Sequence, residues 1–330
     1  MEKLPLKKRL RRVGAYAAFF AVCFVVASYF TFPWGALRGR IVAELEKAAP
    51  GYRFRIGDIS PSLLAGISAY DVEIRKASPK ADEPPDVALD SITLHAWPWV
   101  ALRGLVTKRP ALSFGAEVGD GTIEGEFTEG ATTTDIELEM DSVSLLRVAP
   151  LRAYIGLPAD GVVTGTTTLH LSEKPEETEG NIDFSVNGLT VGDGKSKLKV
   201  GMLSEGITVE TIRVGKLDIQ IGIAAGAISV TKFEANGPDL EFKISGDGKL
   251  QKPTKKSKVD LLASIRFTDA YKKKNDRTRG MFALLENLPQ LASARTTDGA
   301  LQYRLAGAIG GQLIPRPAGK SGGKRARTVR

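Results

Sequence analysis

The residues able to do chemistry are few and scattered in this chain of 330. Two histidines occur, His95 and His170, both where strands are expected. His170 stands between Leu169 and Leu171, which puts it on the polar side of an alternating strand, a place for a surface residue and not a base. Hydrolysis or group transfer needs a nucleophile, a base and a third group that orients the base. No spacing here supplies the three, and the reading is of a protein that is not an enzyme, with no catalytic residues. The single cysteine, Cys23, falls in an apolar run, so neither an intramolecular disulfide nor a thiolate metal cluster is expected. Isolated histidines do not complete a zinc site, and no acidic loop has calcium-binding spacing. Val214-Gly215-Lys216 and the Gly-Asp-Gly triplets lack the spacing of a phosphate-binding loop and read as hairpin turns. No metal, cofactor-binding residue or cofactor is expected.

Charged residues follow the same plain pattern. Glu137, Glu139 and Asp141 alternate with apolar residues and read as one solvated strand face. Lys255, Lys256 and Lys258, with Lys272, Lys273 and Lys274, read as one basic cluster. Lysines near a sheet edge discourage aggregation; the functional alternative is contact with anionic lipid or an acidic partner.

The formal net charge is +8, but its location matters more than its size. Lys3, Lys7, Lys8, Arg9, Arg11 and Arg12 precede the apolar run, and Arg316, Lys320, Lys324, Arg325, Arg327 and Arg330 end the chain. Setting these and Glu2 aside leaves 34 basic against 37 acidic residues, a net of −3 for the body. A nucleic-acid-binding domain concentrates positive charge on its folded surface. The body does the opposite, so no nucleic-acid partner is expected.

Val13 to Phe32 is uncharged, VGAYAAFFAVCFVVASYFTF. Twenty residues in a helix span about 30 Å, the thickness of a bilayer's hydrocarbon core. Tyr16 marks one end, and Tyr29, Phe30, Phe32 and Trp34 the other, where rings anchor at headgroup depth. A cleaved signal would have a shorter core and a small-residue site, and Val26-Ala27-Ser28 is a poor one. Lys7–Arg12 keep the N-terminus cytoplasmic, which places the body in the periplasm of a Gram-negative cell, as a single-pass protein of the inner membrane.

The elements that follow read as a helix and then many strands. Leu37, Ile41 and Leu45 share one face of a helix from Trp34 to Ala49 that packs on the first strands and stops at Pro50-Gly51. From Tyr52 the period is two: Phe54 and Ile56; Val72 and Ile74; Ile92 and Leu94; Ile136, Leu138 and Met140; Leu169 and Leu171; Ile182, Phe184 and Val186. It continues at Ile207 and Val209; Leu217, Ile219 and Ile221; Leu240, Phe242 and Ile244; and Leu301, Tyr303 and Leu305. Gly119-Asp120-Gly121, Asn187-Gly188, Gly192-Asp193-Gly194, Asn236-Gly237-Pro238 and Gly246-Asp247-Gly248 read as the turns between runs. Short connections predict antiparallel meanders. Helices are few: a turn or two in Trp97–Leu102, two short pieces in Leu145–Ile155, and Asn275–Leu291 with Met281, Leu284, Leu285 and Leu288 on one face. Ala77–Pro85 and Lys174–Gly180 read as loops, and Gly319–Arg330 as disordered.

The expected organisation is a basic N-terminus (1–12), a transmembrane helix (13–32), a juxtamembrane helix (33–51), a mainly β domain (52–315) and a basic tail (316–330). A sub-boundary is possible near 141–160. At least ten strands then each carry an apolar face, with too few helices to cover them. Those faces either pack on one another, as in a sandwich or barrel, or line a groove for something apolar.

Several segments carry a family likeness: TFPWGALRGRIVAELEKAAPGY, RIGDISPSLLAGISAYDVEI, LRAYIGLPADGVVTGTTTLHL, EGNIDFSVNGLTVGDG, ISVTKFEANGPDLEFKISGDGKLQKP and DGALQYRLAGAIGGQLIPRP. From about Leu4 to Pro317 the chain resembles the protein N family of type II secretion systems, in its delta-proteobacterial form, and is more distantly similar to AsmA-like periplasmic proteins. The resemblance implies an antiparallel, curved β-sheet and an inner-membrane accessory of type II protein secretion, with a non-catalytic structural role and other secretion components as partners. The AsmA-like likeness implies the alternative, a lipid-binding or lipid-transfer protein with an apolar β groove that supports outer-membrane homeostasis, with phospholipid as its ligand.

Overall fold

A computed structural model describes residues 6–62, 66–77, 86–95, 111–147, 157–200, 203–286, 289–309 and 313–319. The pieces expected at Trp97–Leu102 and in most of Leu145–Ile155 and Ala77–Pro85, and residues 320–330 of the tail, lie outside the described residues.

Two helices lead the chain: α1 (Leu6–Thr31) and α2 (Trp34–Ala48). The strands are β1 (Tyr52–Ser62), β2 (Gly66–Lys76), β3 (Val87–His95), β4 (Ala111–Val118), β5 (Gly121–Glu129), β6 (Thr133–Ser144), β7 (Ala159–Ser172) and β8 (Glu179–Val191). They continue with β9 (Lys197–Val200), β10 (Leu203–Thr208), β11 (Ile212–Ala224), β12 (Ala227–Asn236), β13 (Leu240–Lys249), β14 (Lys258–Phe267), β15 (Leu301–Ala308) and β16 (Ile314–Pro317). Fourteen of them form one antiparallel, curved sheet in the order of the chain, broken only where β8 pairs with β11 and β9–β10 stands aside as its own hairpin. A meander of this kind needs only short links between neighbours. Ala225 and Gly226, both at positive φ, make the two-residue turn between β11 and β12, the conformation that matches the twist of a hairpin. β6 and β7 pair from Thr133↔Ser172 to Ser144↔Val162, so the sheet runs through the region of the possible sub-boundary.

Several expected turns are interior to strands. Asn187-Gly188 lies within β8 and Gly215 within β11, each at a shift of register. Gly188 (φ 66) and Gly215 (φ 76) supply a left-handed residue for a bulge, which bends a strand without ending it. Gly246-Asp247-Gly248 lies within β13. Gly119-Asp120 and Asn236-Gly237-Pro238 do connect strands, as expected.

Most of the buried apolar residues among those described gather in two clusters, with Val118 and Val143 buried outside them. Beneath α2, Trp34, Ile41 and Val42 pack on Ile56, Ile59, Ala69 and Val72. The helix does cover the first strands, but with Trp34 and Val42 beside Ile41, while Leu45 is exposed. The second core joins Leu145, Ala159, Val186, Leu189, Ile212, Val214, Ala235 and Tyr271 along one row of strand ends. Two short helices cap it, Asp269–Lys272 and Asp276–Glu286, while a third, Pro289–Ala294, lies against β15 and β16; one helix from Asn275 to Leu291 was expected. Met281 and Phe282 face the core; Leu284, assigned to that face by spacing, is 68% exposed.

α1 begins at Leu6 and takes in the basic residues Lys7–Arg12. Val13, Tyr16, Phe19, Phe20, Val22 and Phe24 are exposed along it, as is Cys23. Among the described residues no helix is long and apolar enough to cross a membrane. The side chains of Val25, Val26, Ser28, Tyr29 and Phe30, within the apolar run, lie outside the described residues.

Candidate functional site

Alternation along each strand, added up over the register, gives the sheet one apolar face. A single row crosses all fourteen strands: Pro61, Ile67, Leu94, Phe114, Gly125, Leu138, Thr167, Ile182, Ile221, Val230, Gly246, Leu261, Leu305 and Pro315. Eleven of the fourteen are apolar or glycine, the others being Thr167 and the two prolines at the edges. A parallel row runs Ile59, Ala69, Ile92, Ala116, Ile123, Met140, Gly165, Phe184 and Ile219. Beyond the two cores these positions are half-buried: Leu138, Met140, Ile182, Phe184, Ile219, Ile221, Ile244, Leu261 and Leu305 all keep part of their surface. Leu94, Leu112 and Phe127 are exposed. The chain thus builds an open apolar trough, with one closed core beneath α2 at its first strands and another along one row of strand ends.

The opposite face is polar and electrostatically divided. From β8 onward acids meet bases: Asp218 with Lys232 at 2.8 Å and Lys216 at 2.9 Å, Glu234 with Lys243 at 3.5 Å, Glu241 with Arg266, and Asp260 with Arg304. Hydrogen bonds from Lys232 and then Lys216 push the Asp218 carboxyl down to about 2. Over β4–β6 the balance fails. Glu117, Asp120, Glu124, Glu126, Glu129, Asp135, Glu137, Glu139 and Asp141 fall between residues 111 and 146, and no Lys or Arg does. Glu137 and Glu139, read from sequence as one solvated face, stand directly opposite Glu126 and Glu124. The four line a hollow of about 440 Å³ with His95, Ser113, Thr166 and Thr168. His170 lies on the same face, its Nδ1 hydrogen-bonded to Asp135. Among the described residues no group of three or more His, Cys, Asp or Glu is placed to hold a metal ion.

The lysines expected to form one cluster are separated. Lys256 and Lys258 precede or open β14, whereas Lys272–Lys274 follow its far end. Ten residues of strand, about 30 Å, lie between them. Instead Lys258 meets Lys249, its direct partner across β13 and β14. Local spacing in sequence grouped residues that an extended strand pulls apart. It also missed β4, β5, β9, β12, β14 and β16; a bulge at Val230/Glu234 breaks the alternation in β12 and the Leu261-Leu262 pair blurs it in β14.

One buried carboxylate, paired with a largely exposed arginine, lies beside the second core. Asp239, 1% exposed, accepts from Arg213 at the backbone N (2.9 Å), Nε (3.0 Å) and Nη2 (2.9 Å). The Arg213 hydrogen bond holds its carboxyl below the usual value, against desolvation. Tyr271, fully buried, donates its hydroxyl to the Glu210 carbonyl at 2.9 Å, and burial pushes the phenol up to about 12. The first ties the β12–β13 connection to the start of β11, and the second fastens the helix Asp269–Lys272 to the chain just before β11.

Comparison with family models, curated proteins and solved structures gave no match.

Proposed function

We propose that this is a membrane-anchored, non-catalytic lipid-binding protein that holds acyl chains against the apolar face of its sheet. The carrying observation is the row from Pro61 to Pro315, apolar almost throughout and left half-buried along its middle. Water-exposed apolar surface of that extent is unfavourable by about 25 cal/mol per Å² and marks a place where something apolar binds. Two further observations support the reading. The uncharged run Val13–Phe32 is preceded by Lys7–Arg12, the pattern of an anchor with a cytoplasmic N-terminus and a periplasmic body. Strand order follows chain order, so the trough starts at the end joined to the anchor through α2 and extends about 60 Å, measured along the sheet.

The test is retention of lipid by the full chain. Purified in detergent, delipidated and re-exposed to phospholipid, it is expected to hold lipid in native mass spectrometry. Aspartates at the facing positions Ile182 and Ile221 should abolish that retention. Failure of the unaltered protein to retain any phospholipid would sink the proposal.

The sequence resemblance to protein N of type II secretion supports a second reading, an accessory that contacts other secretion components. Loss of export in a deletion strain, with the lipid-retention result negative, would favour it over the lipid reading.

A further inference from the structure

Where β14 ends and β15 begins, the apolar face of the sheet meets the helices Asp276–Glu286 and Pro289–Ala294, and a hollow of about 120 Å³ lies between them. Its floor is Ile265 and Leu301, direct partners in the ladder, with Phe267 beside them. Leu285, Leu291 and Phe282 close it from the helical side, Phe282 with its ring centroid 5.1 Å from that of Phe267. Ile265 and Leu301 each stand two full alternations from Leu261 and Leu305, a second facing pair about 13 Å away along the strands. They therefore share one face of the sheet, and the hollow is the margin of the trough. It is smaller than a whole-ligand site of roughly 300–1,000 Å³, but it opens onto that face.

Two cations line this hollow, Lys272 and Arg295, and none of the described residues that line it is acidic. They come from different segments: Lys272 ends the helix Asp269–Lys272, and Arg295, bridged to Leu301, follows Pro289–Ala294. Lys272 pairs with Asp269 at 3.7 Å, but Asp269 is 84% exposed, and a surface pair of that kind holds little energy. Between the hollow and Leu305 the floor carries Tyr303, half-buried and opposite Ala263. Its hydroxyl makes no hydrogen bond with a described residue. Burial raises the phenol above its ordinary value, so at neutral pH it keeps its proton as a donor. From the helices outward the margin thus presents cations, then a hydroxyl, then an apolar floor.

We propose that this margin seats the head of a phospholipid, its phosphate held by Lys272 and Arg295 and an acyl chain running from the hollow over Tyr303 toward Leu261 and Leu305. Two cations with no acid among the lining residues select an anion, and the arginine fork matches phosphate oxygens. Continuity with the apolar floor selects an anion that carries an acyl chain. The Tyr303 hydroxyl falls at the level of the ester linkage. The inference rests on the lipid-binding reading above and adds which side of the trough takes the polar head.

The experiment uses the full chain, delipidated in detergent and offered phosphatidylglycerol and diacylglycerol with the same acyl chains, with retention read by native mass spectrometry. The phospholipid is expected to be held in preference. One cation beside a lipid phosphate is worth about fivefold in affinity, so Lys272→Gln with Arg295→Gln should cut that preference by about 25-fold. Retention of diacylglycerol should stay as it was, which a merely structural role for the two side chains would not allow. Lys249→Gln with Lys258→Gln, on the opposite face of the sheet, should change neither. An intact preference in the Lys272 and Arg295 variant, or an equal loss of both lipids, would overturn the seat while leaving the lipid-binding reading standing. Displacement of the phospholipid by equimolar oleate or inorganic phosphate would overturn the choice of anion. Retention of neither lipid by the unaltered protein would overturn both readings.

Discussion

Arg213 and Asp239 form a pair whose members are unequally placed: Arg213 is 59% exposed at its side chain and Asp239 1%. Removing the arginine strands a buried carboxylate, whereas removing the charge on Asp239 leaves an arginine that water can solvate. Arg213→Ala is therefore expected to cost about 2–3 kcal/mol and Asp239→Asn about 1–2 kcal/mol, measured by urea unfolding; the reverse order would refute the account. Folding lowers this carboxyl from its ordinary 3.8. Its contribution is complete above that value and is lost as the pH falls through the lowered one. Glu137 makes the opposite case. It faces Glu126 directly, so Glu137→Lys replaces a repulsion with an attraction and should stabilise by about 0.5–1 kcal/mol. The gain should shrink when the melt is repeated in high salt. Nothing in the sequence around Glu137 tells that its partner is another glutamate, because that depends on the register of two strands.

At the scale of elements, the β class and the antiparallel direction were legible because a period of two survives in ten runs, whereas the number of strands was not: the structure has sixteen among the described residues. The glycines were harder to read. Asn187-Gly188 has the composition of a hairpin turn, yet β8 continues through it with a bulge. Which of the two forms depends on whether the neighbouring strands keep pairing on both sides, a property of β7 and β11 and not of the dipeptide. Gly246 marks a different need. A Cβ there would lie 2.2 Å from the Asp260 carbonyl, at φ 142. Gly246→Ala is expected to cost about 2–4 kcal/mol, whereas Gly222→Ala, with nothing within 4 Å of its Cβ, should change stability by less than about 0.5 kcal/mol. Equal melting temperatures for the two variants would refute the close-approach argument. Leu284 was misplaced for a related reason: spacing defines a helical face, but Phe282 fills the space beside Phe267 and Tyr271 with three large rings.

For the whole molecule, an open trough and a closed core make different demands on the same residue types. Val143 is 2% exposed, whereas Leu138, on the same strand, is half-buried. Val143→Gln is expected to cost about 3 kcal/mol or more and Leu138→Gln about 1 kcal/mol, read from denaturant midpoints of the lipid-free protein. Similar losses at both positions would mean that the middle of the apolar face is closed, and the lipid-binding proposal would fail with it. Added phospholipid should raise the melting temperature of the unaltered chain by mass action, and less so that of the Leu138 variant.

Composition and alternation alone determined the β class, the antiparallel meander, the uncharged run ahead of it and the absence of any recognisable catalytic spacing, since each is a property of neighbours in the chain. Whether the apolar faces would close on one another or remain as a trough was decided only in three dimensions. A strand's pattern says that one side must avoid water, but not what will cover it. Here fourteen strands curve as one sheet, α2 covers its first strands and the helices of 269–286 one row of strand ends, and the rest of the apolar row stays open. The same holds for two lysines: Lys249 and Lys258 meet because two antiparallel strands end together, a contact set by register.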